Sequence, residues 1–346
     1  MAFHPRIPAW YAVNWWRNLD WRGRMLLLAI VLLGICLAEP HAKLPRRVYD
    51  WFFVLDITQS MNVRDTVVHG NSMSRLEFSK RVMRQALRRL PCGSRVALGL
   101  FTERSTANIQ YPLEVCAHFG ALDETIARMD WRMAWAADSY IAHGLYSAVG
   151  QAPKLGENMR VAFFSDGHQA PVASARYAPV FEGEPGAVKG LVLGTGLQTA
   201  GRIPKLDERD NVTGYWEADD VQRYATFGIS ELQSVLQMEQ QEKGYHGRNA
   251  PHGSHPDETS NAHFSALDGA NLRKLAKATG LDYMQLDSAN DFTAAMTSGK
   301  MSVWRSARTD LRPWLVVPAM LLILAFFMPP AFYQFFQQHL LSRKKT

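Results

Sequence analysis

The chain has 346 residues, 47% of them hydrophobic, enough for one large domain or two ordinary ones. Its formal charge of +6 comes from basic residues that are scattered or gathered at the ends. No Lys/Arg stripe interleaves with aromatics, which argues against a nucleic-acid partner; three cysteines exclude a disulfide scaffold, and the lack of a CxxC pair argues against a thiolate zinc site.

Two apolar segments frame the chain. Residues 1–24 carry Arg6, Arg17, Arg22 and Arg24 together with Trp10, Trp15, Trp16 and Trp21, the mixture of a positive-inside flank and an aromatic interfacial belt. Residues 25–38 are apolar but shorter than an ideal span, so a signal-peptide core and an uncleaved anchor both fit. The flank and the lack of an Ala-x-Ala site favour the anchor, and Leu33-Gly34-Ile35-Cys36 makes a poor lipidation box. Trp314 to Phe336 is long enough to cross a bilayer, with Pro318 tolerated in its first turn and Pro329-Pro330 ending it. The tail at 337–346 is basic through Arg343, Lys344 and Lys345, which predicts a cytoplasmic end. Either version of the N-terminus places residues from about Glu39 to Arg312 on the exoplasmic side, in a bacterium the periplasm, with the chain in the inner membrane.

Between these segments, a domain over 45–300 alternates strands and helices. Strands are predicted at Val48 to Leu55, Arg95 to Phe101, Ile109 to Val115, Arg160 to Phe164, Val188 to Leu193 and Tyr283 to Leu286. Helices are predicted at Ser74 to Leu90, whose Arg and Lys residues read as a solvated face, and at Ala121 to Met129, Ile141 to Val149 and Leu272 to Thr279. Arg64 to Asn71 reads as a polar loop. The alternation implies a doubly wound, mostly parallel α/β sheet. The pattern fails between about 197 and 264, which reads as an insertion: an ordered loop holding Gly214-Tyr215-Trp216, a short helix around Val221 to Leu236, and a tract rich in Gly, Asn, Ser and His. His246, His252, His255 and His263 in that tract lack periodicity and read as solvated loop.

The chemistry concentrates at the end of the first strand. Asp56, Thr58 and Ser60 follow an apolar run on alternate positions and offer three hard oxygens, which suit Mg²⁺, Mn²⁺ or Ca²⁺. The same residues also favour an Asx/ST turn and a helix cap. Asp138-Ser139 offers a hydroxyl just before a helix, and Ser165-Asp166-Gly167 a carboxylate at a strand end.

With these three elements the chain resembles the von Willebrand factor A (vWA) domain over roughly Arg47 to Phe292. That family carries an Asp-x-Ser-x-Ser turn, a Thr before a helix and an Asp in a Thr-Asp-Gly turn, which together form a metal-ion-dependent adhesion site. Asp56, Thr58 and Ser60 match the first element, Ser139 the second and Asp166 the third. Thr58 replaces a Ser, and Ser139 replaces the Thr with Asp138 where the family usually has Gly; both swaps keep a hydroxyl. The resemblance implies a six-stranded sheet and a divalent cation completed by an acidic residue of a partner protein. It also implies a third strand antiparallel beside the second, which would bring Cys92 near Cys116 and allow a disulfide in an oxidising compartment.

Leu55 to Asn62, Leu90 to Val96, Asp130 to Ala136, Ser165 to His168 and Gly214 to Trp216 look like the accessory vWA proteins of the MxaL and MxaC type. That resemblance implies a membrane-anchored accessory factor in maturation, or calcium insertion, of a quinone-dependent methanol dehydrogenase. A component of a Bat-like envelope complex is the alternative, and a divalent-metal hydrolase a further one. No general base is evident: His143 and His168 lie near the outer motifs, and His168 reads as loop surface. The expectation is a binding protein and not an enzyme. Trp131, Arg132 and Trp135, just before Ser139, suit either a partner surface or packing under the loop.

Overall fold

A computed structural model of the chain describes residues 19–68, 70–136, 138–170, 179–217 and 263–328. Two compact units are present: residues 46–305, and residues 1–45 together with 306–346.

Along the chain come helix α1 (Trp21–Leu37), strands β1 (His41–Val48) and β2 (Asp50–Asp56), the short strands β3 (Thr66–Val68) and β4 (Asn71–Met73), and helix α2 (Arg75–Leu87). Strands β5 (Arg95–Thr102) and β6 (Ser105–Glu114), helices α3 (Phe119–Arg128) and α4 (Ile141–Leu155), and strands β7 (Arg160–Ser165) and β8 (Gly190–Gly194) follow. Four short strands belong to the insertion: β9 (Gly201–Arg202), β10 (Pro204–Leu206), β11 (Val212–Tyr215) and β12 (Phe264–Ser265). The chain closes with helix α5 (Gly269–Thr279), strand β13 (Asp282–Gln285), helix α6 (Ala289–Met296), strand β14 (Val303–Asp310) and helix α7 (Arg312–Phe327).

The 46–305 unit is built on one six-stranded sheet in the order β13-β8-β7-β2-β5-β6. Every neighbouring pair is parallel except β5–β6, which is antiparallel at the edge. This is the mixed, mostly parallel arrangement expected, with the third strand reversed beside the second. Central strand β2 shows why it forms: all seven of its residues are buried, as a parallel strand covered on both faces requires. Trp51, Phe53 and Leu55 pack with Met83, Leu87 and Phe292 on one face. Phe52 and Val54 pack with Phe101, Leu145 and Leu272 on the other. The helices are bounded by local chemistry. The Ser74 hydroxyl accepts from Glu77 N to start α2, Asp268 does the same for α5, and Gly280 at φ 74° ends it.

Successive strands run from β2 to β5 and β6 on one side, then return to β7 and β8 on the other. The reversal lies between β2 and β7. In open α/β sheets the crevice beyond the carboxyl ends of the strands at such a point is where ligands bind. Asp56 ends β2 and Ser165 ends β7; Leu55 is registered with Phe164 and Asp56 with Phe101.

Several elements differ from the sequence reading. The predicted first strand is broken at Tyr49, and the separate strand β1 pairs with β14 in a two-stranded sheet. Arg64 to Asn71, read as a loop, contains β3 and the start of β4, which pair antiparallel. The insertion is rooted: β9 pairs with β12 and β10 with β11, so Gly214-Tyr215-Trp216 belongs to an ordered hairpin. The expected 221–236 helix, His246, His252, His255 and the basic tail lie outside the described residues.

In the other unit, α1 and α7 lie against each other. They have 17 and 16 residues. Among the described residues no helix is long and apolar enough to cross a membrane. Residues 329–336 of the apolar segment expected at 314–336 lie outside the described residues.

Candidate functional site

At the end of β2 the backbone turns into a short 3₁₀ segment, Gln59–Asn62. The turn folds its own polar groups inward. Thr58 N and Thr58 Oγ1 donate to Asp56 Oδ1 at 3.0 and 2.7 Å, and Ser60 Oγ lies 3.3 Å from Thr58 Oγ1. Part of the helix-cap alternative is therefore real: Asp56 does make an Asx-type turn. Its second oxygen, Oδ2, accepts from Ser165 Oγ at 2.7 Å, across to β7.

Ser165 is the link to the third element. Its hydroxyl also accepts from Gly167 N at 2.9 Å, holding the turn that carries Asp166. Asp166 Oδ1 accepts from His168 N at 3.0 Å. Ser139 joins through the backbone: its N–H donates to Ala170 O at 2.7 Å, and Ala170 N returns a bond to Ser139 O at 3.2 Å. A further pair of bonds ties Asp138 and Tyr140 to Glu103, at the end of β5. The structure thus gathers the turns bearing Asp56, Thr58, Ser60, Ser139 and Asp166 at the carboxyl ends of β2, β5 and β7, and buries all five side chains.

The electrostatics are those of an acid pair in a dry place. Burial, and then the negative charge of Asp166, push the Asp56 carboxyl up to about 7, against the opposing hydrogen bonds from Ser165 and Thr58. Asp138 is raised to about 6 by burial and by Glu103. Ser139 Oγ is buried and has no hydrogen-bond partner among the described residues. A buried polar atom left unpaired costs about 1–3 kcal/mol. Two carboxylates and several hydroxyls, one of them unsatisfied, are hard oxygen donors, the kind that would suit a Mg²⁺, Mn²⁺ or Ca²⁺ ion.

The sequence reading missed a cation already present. Arg75 was assigned to a solvated helix face, yet it is fully buried. Its Nη1 donates to Asp166 Oδ2 at 2.6 Å and to Ser265 Oγ at 2.6 Å. Nη2 donates to Asp65 Oδ2 at 2.6 Å and to Ser265 O at 3.1 Å, and Nε bonds both oxygens of Asp65. Gly196, at φ 102°, makes room: a Cβ there would lie 2.3 Å from Arg75 Nε. Lys80 on the same helix is buried as well, paired with Glu77. Helical periodicity cannot reveal such residues, because an arginine is buried only when acids from remote loops converge on it. His168 is also corrected: it is half-buried, and desolvation lowers its pKa.

Of the residues before Ser139, Trp131 and Arg132 bind the insertion and Trp135 does not. Trp131 Nε1 donates to Asp210 Oδ1 at 3.2 Å, while Arg132 pairs with Asp130 and Asp210. Trp135 Nε1 donates to Glu103 Oε2 at 3.0 Å. Far along the sheet from these groups, Cys92 and Cys116 form a disulfide with Cα atoms 5.2 Å apart. Glu114 lies close to both sulfurs, but its carboxylate accepts backbone bonds from Gly93 and Ala117.

No family model and no curated protein sequence matches the chain. Among solved structures it is similar to an aerotolerance-related membrane protein from Bacteroides fragilis, at 15% identity and a TM-score of 0.42, over 71% of this chain and 96% of that one. It is similar also to an uncharacterised membrane-spanning protein from Vibrio fischeri (15%, TM-score 0.26, 71% and 94%). A third is the vWF domain of the type V pili tip protein Mfa5 from Porphyromonas gingivalis (14%, TM-score 0.33, 74% and 97%).

Proposed function

We propose that the chain is a vWA-type docking module in which Asp56, Thr58, Ser60, Ser139 and Asp166 hold a divalent cation, and that the ion grips an acidic residue of a partner protein. One observation carries this reading: two buried carboxylates that repel each other and a Ser139 hydroxyl buried without a partner among the described residues lie on turns gathered at the same end of the sheet. An ion would satisfy the hydroxyl and neutralise the pair. With few formal charges from its own protein it would remain electrophilic and seek an outside anion.

We place the module on a membrane anchor formed by the first and last apolar segments, in the bacterial inner membrane, with the site on the periplasmic side. Support comes from the pairing of α1 and α7. Each buries a single alanine, Ala29 and Ala319, and leaves large apolar side chains outward, among them Ile30, Val31, Leu321 and Leu324. Small residues between helices and large ones outside are how helices pack in lipid, where apolar side chains have no reason to hide. In water the same surface would be a liability.

The partner belongs to a Bat-like envelope complex or to the maturation of a quinone-dependent methanol dehydrogenase. One experiment tests the module and identifies the partner. The full chain, solubilised in detergent, is used for capture with Mg²⁺ and with a chelator. We expect a partner retained only with the ion and lost in Asp56→Ala, and its identity separates the two settings. Capture that ignores both chelator and substitution would refute the docking site. Ion-dependent hydrolysis of a phosphoester, lost in the same variant, would assign the site to a hydrolase instead.

A further inference from the structure

The ion site has a second tier, and its residues come from three remote parts of the sequence. Arg75 opens α2, Asp65 lies in the loop before β3, and Ser265 ends the insertion in β12. Together they close one side of Asp166. Its Oδ2 accepts from Arg75 Nη1 at 2.6 Å and from Ser265 Oγ at 2.9 Å. Its Oδ1 accepts from His168 N alone among the described residues, at 3.0 Å. A carboxylate oxygen has about two lone-pair sites, so Oδ2 is filled and Oδ1 retains one.

Resting on the ion-binding reading above, we propose that Arg75, with Ser265 and Asp65, is a positioning device that presents Asp166 to the ion through one oxygen and so sets the site's preference for a six-coordinate cation over Ca²⁺. A carboxylate locked in this way cannot become bidentate. Ca²⁺ accepts about 6–8 oxygens and commonly takes a carboxylate through both; Mg²⁺ demands an octahedron of about six and is content with one. Asp65 completes the device. It holds the rest of the guanidinium through three hydrogen bonds and also accepts from Leu197 N at 3.0 Å, at the root of the insertion. The Arg75 and Asp65 charges cancel, which leaves the charge of Asp166 for the ion. A guanidinium suits the task where an ammonium does not, because its planar fork reaches Asp65, Asp166 and Ser265 at once.

The test is titration of the full chain in detergent with Mg²⁺ and, separately, Ca²⁺, by calorimetry, for the wild type, Arg75→Lys and Ser265→Ala. Arg75→Lys keeps the charge and loses the fork. Ser265→Ala removes one bond to Oδ2 and the bond that Arg75 Nη1 donates to Ser265 Oγ, and keeps the bonds of Arg75 to Asp166 and Asp65. We expect the Ca²⁺-to-Mg²⁺ affinity ratio to rise at least fivefold in each folded variant, as Asp166 gains freedom to offer both oxygens. A merely structural role would weaken both ions alike, so an unchanged ratio overturns the inference while the ion site stands. A wild type that binds neither ion overturns both. Should Arg75→Lys fail to give a cooperative melt, Ser265→Ala decides alone.

Discussion

At the scale of single residues, Ser139 and Asp56 make opposite demands on the ion-free protein. Ser139 carries a buried hydroxyl with no partner among the described residues. Asp56 has both oxygens hydrogen-bonded but sits in a low-dielectric place beside another acid. Truncating an unsatisfied polar group removes a penalty, whereas truncating a satisfied one leaves its partners orphaned. For Ser139→Ala we therefore expect a split result. With a chelator its melting temperature should equal or exceed that of the wild type, while its Mg²⁺ affinity should fall about tenfold, some 1.4 kcal/mol. A lower chelated melting temperature with unaltered affinity would mean that Ser139 is a packing residue and not a ligand.

At the scale of elements, the antiparallel pair β5–β6 is the edge of the sheet and shows how sequence and topology share the work. The disulfide joins the residues just before β5 and just after β6, closing a separation of 24 residues. A loop of that size restricts the unfolded chain by about 3 kcal/mol in the chain-entropy account. Paired substitution of Cys92 and Cys116 by Ser should lower stability by about that amount and leave Mg²⁺ affinity within twofold, since the bridge lies at the opposite end of β5 from Glu103. A large affinity loss would show that the edge pair sets the site. The strands that build the centre were legible because they are buried on both faces and read as unbroken apolar runs, Phe52 to Leu55 and Ala162 to Phe164 among them. The turns proposed to hold the ion could be picked out because their hydroxyls and acids stand at the ends of those runs. Helix α6 carried a signal that went unused: Ser288 caps it, and Phe292 and Met296, four apart, are buried. β1 gave none, since its covered and exposed positions do not alternate; β14 alternates in exposure from Val303 to Arg308, but Arg305 on its covered side and Trp304 on its exposed side hide the pattern in the sequence. Arg75, Asp65 and Ser265 were invisible for a different reason. Their roles exist only where three remote segments meet, and no local pattern encodes that meeting.

At the scale of the whole molecule, β2 begins and ends in a buried acid, and the two ends respond to pH in opposite senses. Burial alone would raise the Asp50 carboxyl, but hydrogen bonds and charge from Arg305 and Arg95 outweigh it and hold Asp50 below the ordinary carboxylate range. A carboxyl depressed in the folded state stabilises fully above its unfolded pKa of about 3.9, and that contribution is lost as pH falls through the folded value. Asp56, raised to about 7, works the other way. The folded state holds its proton more tightly than the unfolded chain, so the ion-free protein gains stability as pH falls from above 7 toward about 4. Asp138, raised to about 6, adds to the same arm. The chelated wild type should therefore melt at a higher temperature at pH 5.5 than at pH 8, then lose stability below about pH 4 as Asp50 is protonated. Saturating Mg²⁺ should reverse the first arm, because the ion requires the deprotonated carboxylate and stabilises in proportion to its occupancy. Melting scans across pH, with and without Mg²⁺, check both limbs. Asp56→Asn should flatten the neutral limb, leaving the residue due to Asp138, and spare the acid one. A chelated protein equally stable at pH 5.5 and 8 would show that the two acids at the end of β2 and β7 do not share a dry site, and the ion would lose its reason to bind there.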